Sequence, residues 1–171
     1  MANRIGIDLG GTKIEAIIID NQFQVIDRKR IPTLRDEGYD AIINRIIDLS
    51  KEMIGIGDID GPIGICTPGT IEATTGLLKN SNTVCLIGKP IQQDMEDALG
   101  IPVLMENDAN CFALAEATIG AAKKYDVVFG VILGTGCGAG IIMNKKIHRG
   151  ANAIAGEWGH HTLYPDGRPC Y

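Results

Sequence analysis

The chain has 171 residues, of which 45% are apolar and 22% are charged, and its net charge is −5 at neutral pH. This composition permits a sizeable core, the negative charge argues against nucleic-acid binding, and no apolar run reaches the roughly 20 residues of a membrane-spanning helix. The five cysteines show no C-x-x-C spacing, and the N-terminus leads into a strand without a secretory signal pattern. These features predict a cytoplasmic protein with reduced thiols.

The apolar pattern predicts three strands, then alternating helices and strands, then three further strands. We expect strands at 4–9, 14–20 and 24–31, followed by a helix from Tyr39 to Ile54 that is closed by Gly55. A strand from Pro62 to Cys66, a hairpin and irregular loop over 70–88, and a helix from Pro90 to Leu99 ending at Gly100 come next. A strand from Val103 to Met105 and a helix from Ala109 to Ala121 then precede strands near 127–133, 137–143 and 146–148. This order predicts an α/β domain with a mixed sheet over residues 1–118, and the incomplete beginning of a second, similar domain over 119–171.

The first candidate site is the glycine turn Asp8-Leu9-Gly10-Gly11-Thr12-Lys13, which lies between the first two strands. Gly10 and Gly11 can take positive φ and expose N–H groups to an anion, and the Thr12 hydroxyl is a further donor. Asp8 is placed to hold a magnesium ion through water. The segment narrowly misses the Walker pattern because its order is Thr-Lys. An ordinary β-hairpin turn explains the two glycines equally well.

A second glycine turn follows the strand at 127–133. Gly134-x-Gly136-x-x-Ala139 matches the dinucleotide-binding fingerprint, with Glu157 about 20 residues further on. The fingerprint requires a helix after the glycines, whereas residues 141–145 continue as a strand. A dinucleotide-binding oxidoreductase therefore stays only a minor alternative.

Glu106-Asn107-Asp108 lies at the end of a predicted strand, just before a helix. Asn107 or Asp108 would cap the helix, and spacing alone favours this structural role. The functional interpretation makes Asp108 a general base that takes a proton from a hydroxyl nucleophile, because carboxylates at strand ends in α/β sheets commonly face the ligand crevice.

The segment Gly156-Glu157-Trp158-Gly159-His160-His161 places a carboxylate and two imidazoles in a glycine-flanked loop. Exposed loop histidines are the commonest outcome for such a pair. Alternatively, Glu157 and His160 recognise sugar hydroxyls. His160 also precedes Cys170 by ten residues, which is half of a zinc site. Ser81 is attributed to turn chemistry.

Together these motifs resemble the ROK family of bacterial sugar kinases. The resemblance runs from Arg4 to the last residue and rests on D-L-G-G-T-K at 8–13, E-N-D-A-N at 106–110, G-T-G-C-G-A-G at 134–140 and A-G-E-W-G-H at 155–160. The sequence looks closest to the fructokinase-like branch. The resemblance implies the actin-like, hexokinase-like ATPase fold (ribonuclease H-like), with two such domains on either side of a cleft.

The resemblance also implies roles for individual residues, with ATP and Mg²⁺ as cofactors, structural Zn²⁺, a hexose substrate and a homodimer. By similarity, the ATP phosphates are bound by Asp8, Gly10, Gly11, Thr12, Lys13, Gly134, Thr135 and Gly136; the catalytic base is Asp108; the sugar is bound by Gly69, Asn82, Asn107, Asp108, Glu157 and His160; zinc is bound by His160 and Cys170; and magnesium is held by Asp8 through water. The implied reaction is in-line transfer of the γ-phosphoryl of ATP to a sugar hydroxyl.

Family members continue well beyond Tyr171, and their remaining length carries the other zinc cysteines and the adenine-binding region. We therefore expect this chain alone to show weak or absent kinase activity, to expose the apolar strand Val127–Leu133 and to self-associate. The regulatory alternative is a sugar-sensing ROK protein, but those carry a helix-turn-helix upstream, and only three residues precede the first strand here. Fructose, glucose, mannose and N-acetylated hexosamines stay open as substrates.

Overall fold

The computed structural model describes residues 3–134, 136–159 and 164–167. The chain divides into two compact units, residues 1–108 and 109–171. The sequence placed this boundary at 118/119. The difference arises because the helix after Asp108 packs its buried Ala113 and Ala117 with Ile142 in the second unit.

The first unit is built on a five-stranded mixed sheet with strand order β3-β2-β1-β4-β7. The meander β1-β2-β3 is antiparallel, whereas β4 pairs parallel with β1, and β7 pairs parallel with β4. Its elements are β1 Arg4–Leu9, β2 Lys13–Ile19, β3 Val25–Pro32, α1 Tyr39–Ile56, β4 Ile63–Thr67, the hairpin β5 Thr70–Ile71 with β6 Leu78–Lys79, α2 Ile91–Leu99 and β7 Val103–Asn107.

The core of the first unit lies between one face of this sheet and the helices. Alternate residues of β1 and β2 are buried, as half-buried strands require. Helix α1 presents its apolar residues at intervals of three and four, so that they form one stripe against the sheet. The fully buried large side chains are Ile7, Leu9, Ile14, Ile18, Ile42, Ile46, Met53, Ile63, Ile65, Leu78, Leu86 and Ile91. The predicted meander and crossover helices are therefore confirmed.

The helix ends differ in part from expectation. Helix α2 ends at Leu99, and Gly100 adopts a left-handed conformation with φ of 66°, as the sequence predicted. Helix α1 continues through Gly55 to Ile56. Gly55 was wrongly predicted to close it, since a single glycine lowers the stability of a helix without necessarily ending it.

The second unit contains helix α3, Asp108–Thr118, whose first residue belongs to the first unit, and a three-stranded antiparallel sheet. The sheet order is β10-β9-β8, with β8 Val127–Leu133, β9 Cys137–Met143 and β10 Lys146–Ile147. The helix lies so close to this sheet that a Cβ added to Gly130 or Gly140 would come within 2.7 or 2.9 Å of the Ala113 Cβ. Glycine at these two strand positions is therefore a packing requirement.

The face of β8 turned away from α3 is exposed, as expected for an apolar strand at an edge. Val127, Phe129 and Leu133 are 65%, 53% and 74% exposed. Among the described residues β8 pairs with β9 alone. Self-association through this strand stays a prediction. In the described part of the chain, no helix combines the length and apolar character needed to cross a membrane.

Candidate functional site

The first glycine turn is a β-hairpin that follows an exposed carboxylate. Asp8 precedes the last residue of β1, and the N–H of Gly10 donates to the carbonyl oxygen of Lys13 at 3.0 Å, closing the turn. Although glycine can adopt positive φ, neither Gly10 nor Gly11 does so in this turn. Space at Gly10 is limited: an added Cβ would lie 3.0 Å from the Lys13 carbonyl oxygen, so this backbone atom would have to shift slightly.

The hairpin lies beside the loop that contains Asn82. The atoms nearest to a Cβ placed on Gly11 would be Thr83 Oγ1 at 3.5 Å and Asn82 Oδ1 at 3.7 Å. Asn82 is exposed, whereas Ser81 and Thr83 are buried, and the Ser81 hydroxyl oxygen accepts the Thr83 N–H at 3.1 Å. Ser81 therefore makes the predicted turn, and this turn presents Asn82 beside Gly11.

The loop after β4 is joined to the end of β7. Gly69 has φ of 93°, and a Cβ there would overlap the carbonyl oxygen of Lys79. The Asn107 side chain donates from Nδ2 to the Gly69 carbonyl oxygen at 3.1 Å. Two residues that sequence similarity assigns to sugar binding are thus in direct contact: Gly69 lies in the loop that follows β4, and Asn107 ends β7, the parallel neighbour whose register pairs Asn107 with Thr67.

The carboxyl ends of β1, β4 and β7 meet at one edge of the sheet. The register places Asp8 beside Cys66, and Cys66 beside Glu106. The Cys66 thiol donates from Sγ to Asp8 Oδ1 at 3.4 Å, a contact that sequence reasoning missed. Only the order of the strands in the sheet would have predicted this contact. Asp108 is half-buried and directly follows β7 as the first residue of α3, a position that suits both a cap and a base.

In the second unit, the second glycine turn connects β8 to β9. Gly134 donates its N–H to the Gly136 carbonyl oxygen at 2.9 Å, and Leu133 pairs with Cys137 across the hairpin. Thr135 lies outside the described residues. Cys137–Met143 is a strand, as predicted, whereas a dinucleotide fingerprint requires a helix there; this counts further against the dinucleotide-binding alternative.

The segment 155–159 packs directly against β9. Gly156 has φ of 97°, and a Cβ on it would overlap the carbonyl oxygen of Ala139. A Cβ on Gly159 would likewise overlap the Cys137 carbonyl oxygen, and Trp158 donates from Nε1 to the Gly138 carbonyl oxygen at 3.4 Å. These contacts hold the exposed Glu157 beside the start of β9. His160 and Cys170 lie outside the described residues.

The described residues contain no group of three or more His, Cys, Asp or Glu side chains that could hold a metal ion. The exposed Asp8 carboxylate suits a hydrated magnesium ion, which keeps several waters and takes one or two carboxylate ligands. Both predicted zinc ligands lie outside the described residues, and structural zinc stays a prediction.

Comparison with known proteins gives one consistent result. The ROK family model matches residues 4–171. An N-acetyl-D-glucosamine kinase from Citrobacter koseri is 42% identical over 161 residues, covering 94% of this chain and 53% of that relative. The chain thus spans about half the length of the curated relatives it matches. The expected fructokinase-like branch gains no support from the similar proteins, which at 40–42% identity are N-acetyl-D-glucosamine kinases.

Two solved structures show the same mixed-sheet α/β fold. A ROK family glucokinase from Streptomyces griseus, in complex with glucose and AMPPNP, superposes with a TM-score of 0.86 at 31% identity, covering 97% of this chain and 52% of its own. A ROK hexokinase from Thermus thermophilus superposes with a TM-score of 0.84 at 33% identity, covering 98% and 56%. The predicted actin-like ATPase fold is confirmed.

Proposed function

Because the chain belongs to the ROK family of sugar kinases, we propose that it carries the phosphate-binding, base and sugar-binding residues of an ATP-dependent hexose kinase. The observation that supports this best is the clustering in the first unit. The glycine turn at 8–13 lies beside Asn82, and Asn107, which contacts Gly69, directly precedes Asp108. A donor site for phosphates and an acceptor site for a sugar are thereby built from one sheet edge.

The phosphate side of this proposal rests on the first hairpin. Its backbone N–H groups and the exposed Thr12 and Lys13 would contact the nucleotide's phosphate oxygens, and Asp8 would hold magnesium through water. Magnesium supplies charge neutralisation on the transferring phosphoryl group when it is bound. Gly134, Thr135 and Gly136 form the second phosphate-binding segment, in the other unit.

The sugar side of the proposal rests on residues that present amide and carboxylate groups. Asn82 and Asn107 would hydrogen-bond to sugar hydroxyls, with Gly69 allowing close approach of the backbone. Glu157 and His160 would recognise further hydroxyls. Asp108 would accept the proton of the attacking hydroxyl, so that the oxygen becomes nucleophilic as it approaches phosphorus.

We propose N-acetylglucosamine as the acceptor to test first. The relatives at 40–42% identity carry that activity in their names, whereas the glucokinase match stands at 31%. Glucose, mannose and fructose are the competing acceptors. The homodimer, the cytoplasmic location and zinc bound by His160 and Cys170 are further parts of the proposal.

The test is a sugar panel on a chimera in which this chain is continued by the C-terminal half of the Citrobacter koseri kinase, which supplies the remaining length of a relative. ADP release is measured with N-acetylglucosamine, glucose, mannose and fructose at equal concentrations. We expect the highest kcat/KM with N-acetylglucosamine. Phosphorylation of none of the four sugars by a folded, ATP-binding chimera would contradict the proposal. Separately, the 171-residue chain is expected to show little or no turnover.

A further inference from the structure

Thr33 holds the first glycine turn from outside the turn. This residue follows β3 and is completely buried, with 0% of its surface exposed. Its N–H donates to the Thr12 carbonyl oxygen at 3.0 Å. Its side-chain Oγ1 donates to the Gly10 carbonyl oxygen at 2.7 Å. One residue therefore contacts the turn at two points, one on each side of Gly11.

The turn needs such support because its own residues offer little. Gly10 and Gly11 have no side chains to pack, and glycine populates more backbone conformations than any other residue. Only one hydrogen bond within the turn is found among the described residues, from Gly10 N–H to the Lys13 carbonyl oxygen. A set of N–H groups binds an anion tightly only when it is already arranged, since otherwise binding must also order the loop.

We propose that Thr33 is a positioning residue, whose hydroxyl fixes the glycine turn at 8–13 in the conformation that binds nucleotide phosphates. The inference rests on the proposed function of that turn. Being completely buried, Thr33 does not itself reach a ligand, so it acts through the two carbonyl groups that it holds. Fixing Gly10 also fixes the position of Gly11 beside Asn82 and Thr83.

The chain offers variants that separate positioning from simple stability. Thr33→Val keeps the shape of the side chain and the backbone N–H bond to Thr12, and it removes only the hydroxyl. Thr33→Ser keeps the hydroxyl. Ser50→Ala is the matched control: Ser50 is also 0% exposed, and its Oγ donates to the Ile46 carbonyl oxygen at 2.7 Å within α1. The two deletions thus remove buried hydroxyl–carbonyl bonds of equal length.

Two measurements on the 171-residue chain test whether the Thr33 hydroxyl positions the turn. Calorimetry gives the affinity for inorganic tripolyphosphate with magnesium, a probe that contains phosphates and no base. Hydrogen exchange reports the order of the turn amides, Gly10 to Lys13. We expect Thr33→Val to weaken tripolyphosphate binding about 10-fold, which corresponds to the usual contribution of one hydrogen bond, and to speed exchange of the turn amides. Thr33→Ser is expected to stay within about threefold, and Ser50→Ala within about twofold, of the unmodified chain.

The inference is overturned if Thr33→Val leaves turn exchange as slow as in Ser50→Ala, or if Thr33→Ser is as impaired as Thr33→Val. Failure of the proposed function looks different. In that case the unmodified chain binds no magnesium tripolyphosphate, while the comparison of exchange rates still decides whether the Thr33 hydroxyl orders the turn.

Discussion

Gly69 provides the sharpest test of the loop between β4 and the β5–β6 hairpin. In Gly69→Ala, the new Cβ would overlap the Lys79 carbonyl oxygen and lie 3.0 Å from the Ser81 nitrogen. Both are backbone atoms, so relief requires moving the hairpin or the loop. Gly69 also has φ of 93°, which disfavours any residue with a Cβ.

A matched control isolates the steric part of this cost. Gly61 has the same φ of 93°, but no atom lies within 4 Å of its Cβ position. Gly61→Ala should therefore cost only the conformational strain, about 1–2 kcal/mol of unfolding free energy. Gly69→Ala should add an overpacking cost of about 1–3 kcal/mol.

The assay is urea unfolding of the two variants, followed by circular dichroism. A second readout is the affinity for N-acetylglucosamine measured by calorimetry. The Gly69 carbonyl oxygen accepts the Asn107 side chain, so a displaced loop should weaken sugar binding in Gly69→Ala and leave it unchanged in Gly61→Ala. Equal unfolding free energies for the two variants would refute the steric reasoning.

Three further predictions concern other parts of the chain. Asp108→Asn in the chimera should lower kcat about 10²–10⁴-fold with sugar affinity retained, because asparagine caps a helix as well as aspartate but cannot act as the base; unchanged turnover would leave Asp108 as a cap alone. Burial, followed by the hydrogen bond to Asp94, raises the pKa of Tyr39 well above its ordinary value. The protonated Tyr39 hydroxyl therefore stabilises the folded chain fully below about pH 10, and this stabilisation is lost at higher pH. Urea unfolding should therefore show Tyr39→Phe to be about 1 kcal/mol less stable at pH 7, with the difference narrowing above pH 10; a constant difference would contradict this. Lys145 donates from Nζ to the carbonyl oxygens of Ala117, Lys123 and Tyr125, so Lys145→Met should speed amide exchange at the end of α3, whereas Lys146→Met, at the exposed neighbouring lysine, should not.

Much of the fold was predictable from local signals. Apolar runs interrupted by glycine turns place β1, β8 and β9 at their observed bounds. Gly100 marks the end of α2 because glycine readily adopts the left-handed conformation that ends a helix.

The predictions that differ from the structure concern helix ends and the first glycine turn. Helix α1 passes through Gly55 to Ile56, although its last buried residue is Met53, because one glycine lowers helix stability without ending the helix. Helix α3 was predicted to continue to Ala121 but ends at Thr118. Beyond this end, the Ala121 N–H donates to the Glu116 side chain at 2.8 Å. The carbonyl groups of Gly10 and Thr12 accept hydrogen bonds from Thr33, a residue distant in sequence that no pattern in the turn itself indicates.

The site shows the same division between local and long-range information. Asp8, Thr67 and Asn107 could each be recognised as residues near the end of a strand. That they share one edge follows only from the strand order β1-β4-β7 and its parallel register. Contacts such as Cys66 with Asp8 are consequences of that order, so they become visible only in the folded chain.

The two glycine turns illustrate how these levels combine. Glycine makes close approach of the backbone feasible, but it also leaves the turn without side chains that could order it. In each unit a separate segment supplies the order: Thr33 binds the carbonyl groups around Gly11, and the 155–159 segment packs Gly156 and Gly159 against β9 where the second turn ends. A substitution in either supporting segment should therefore disturb a glycine turn that it does not itself belong to.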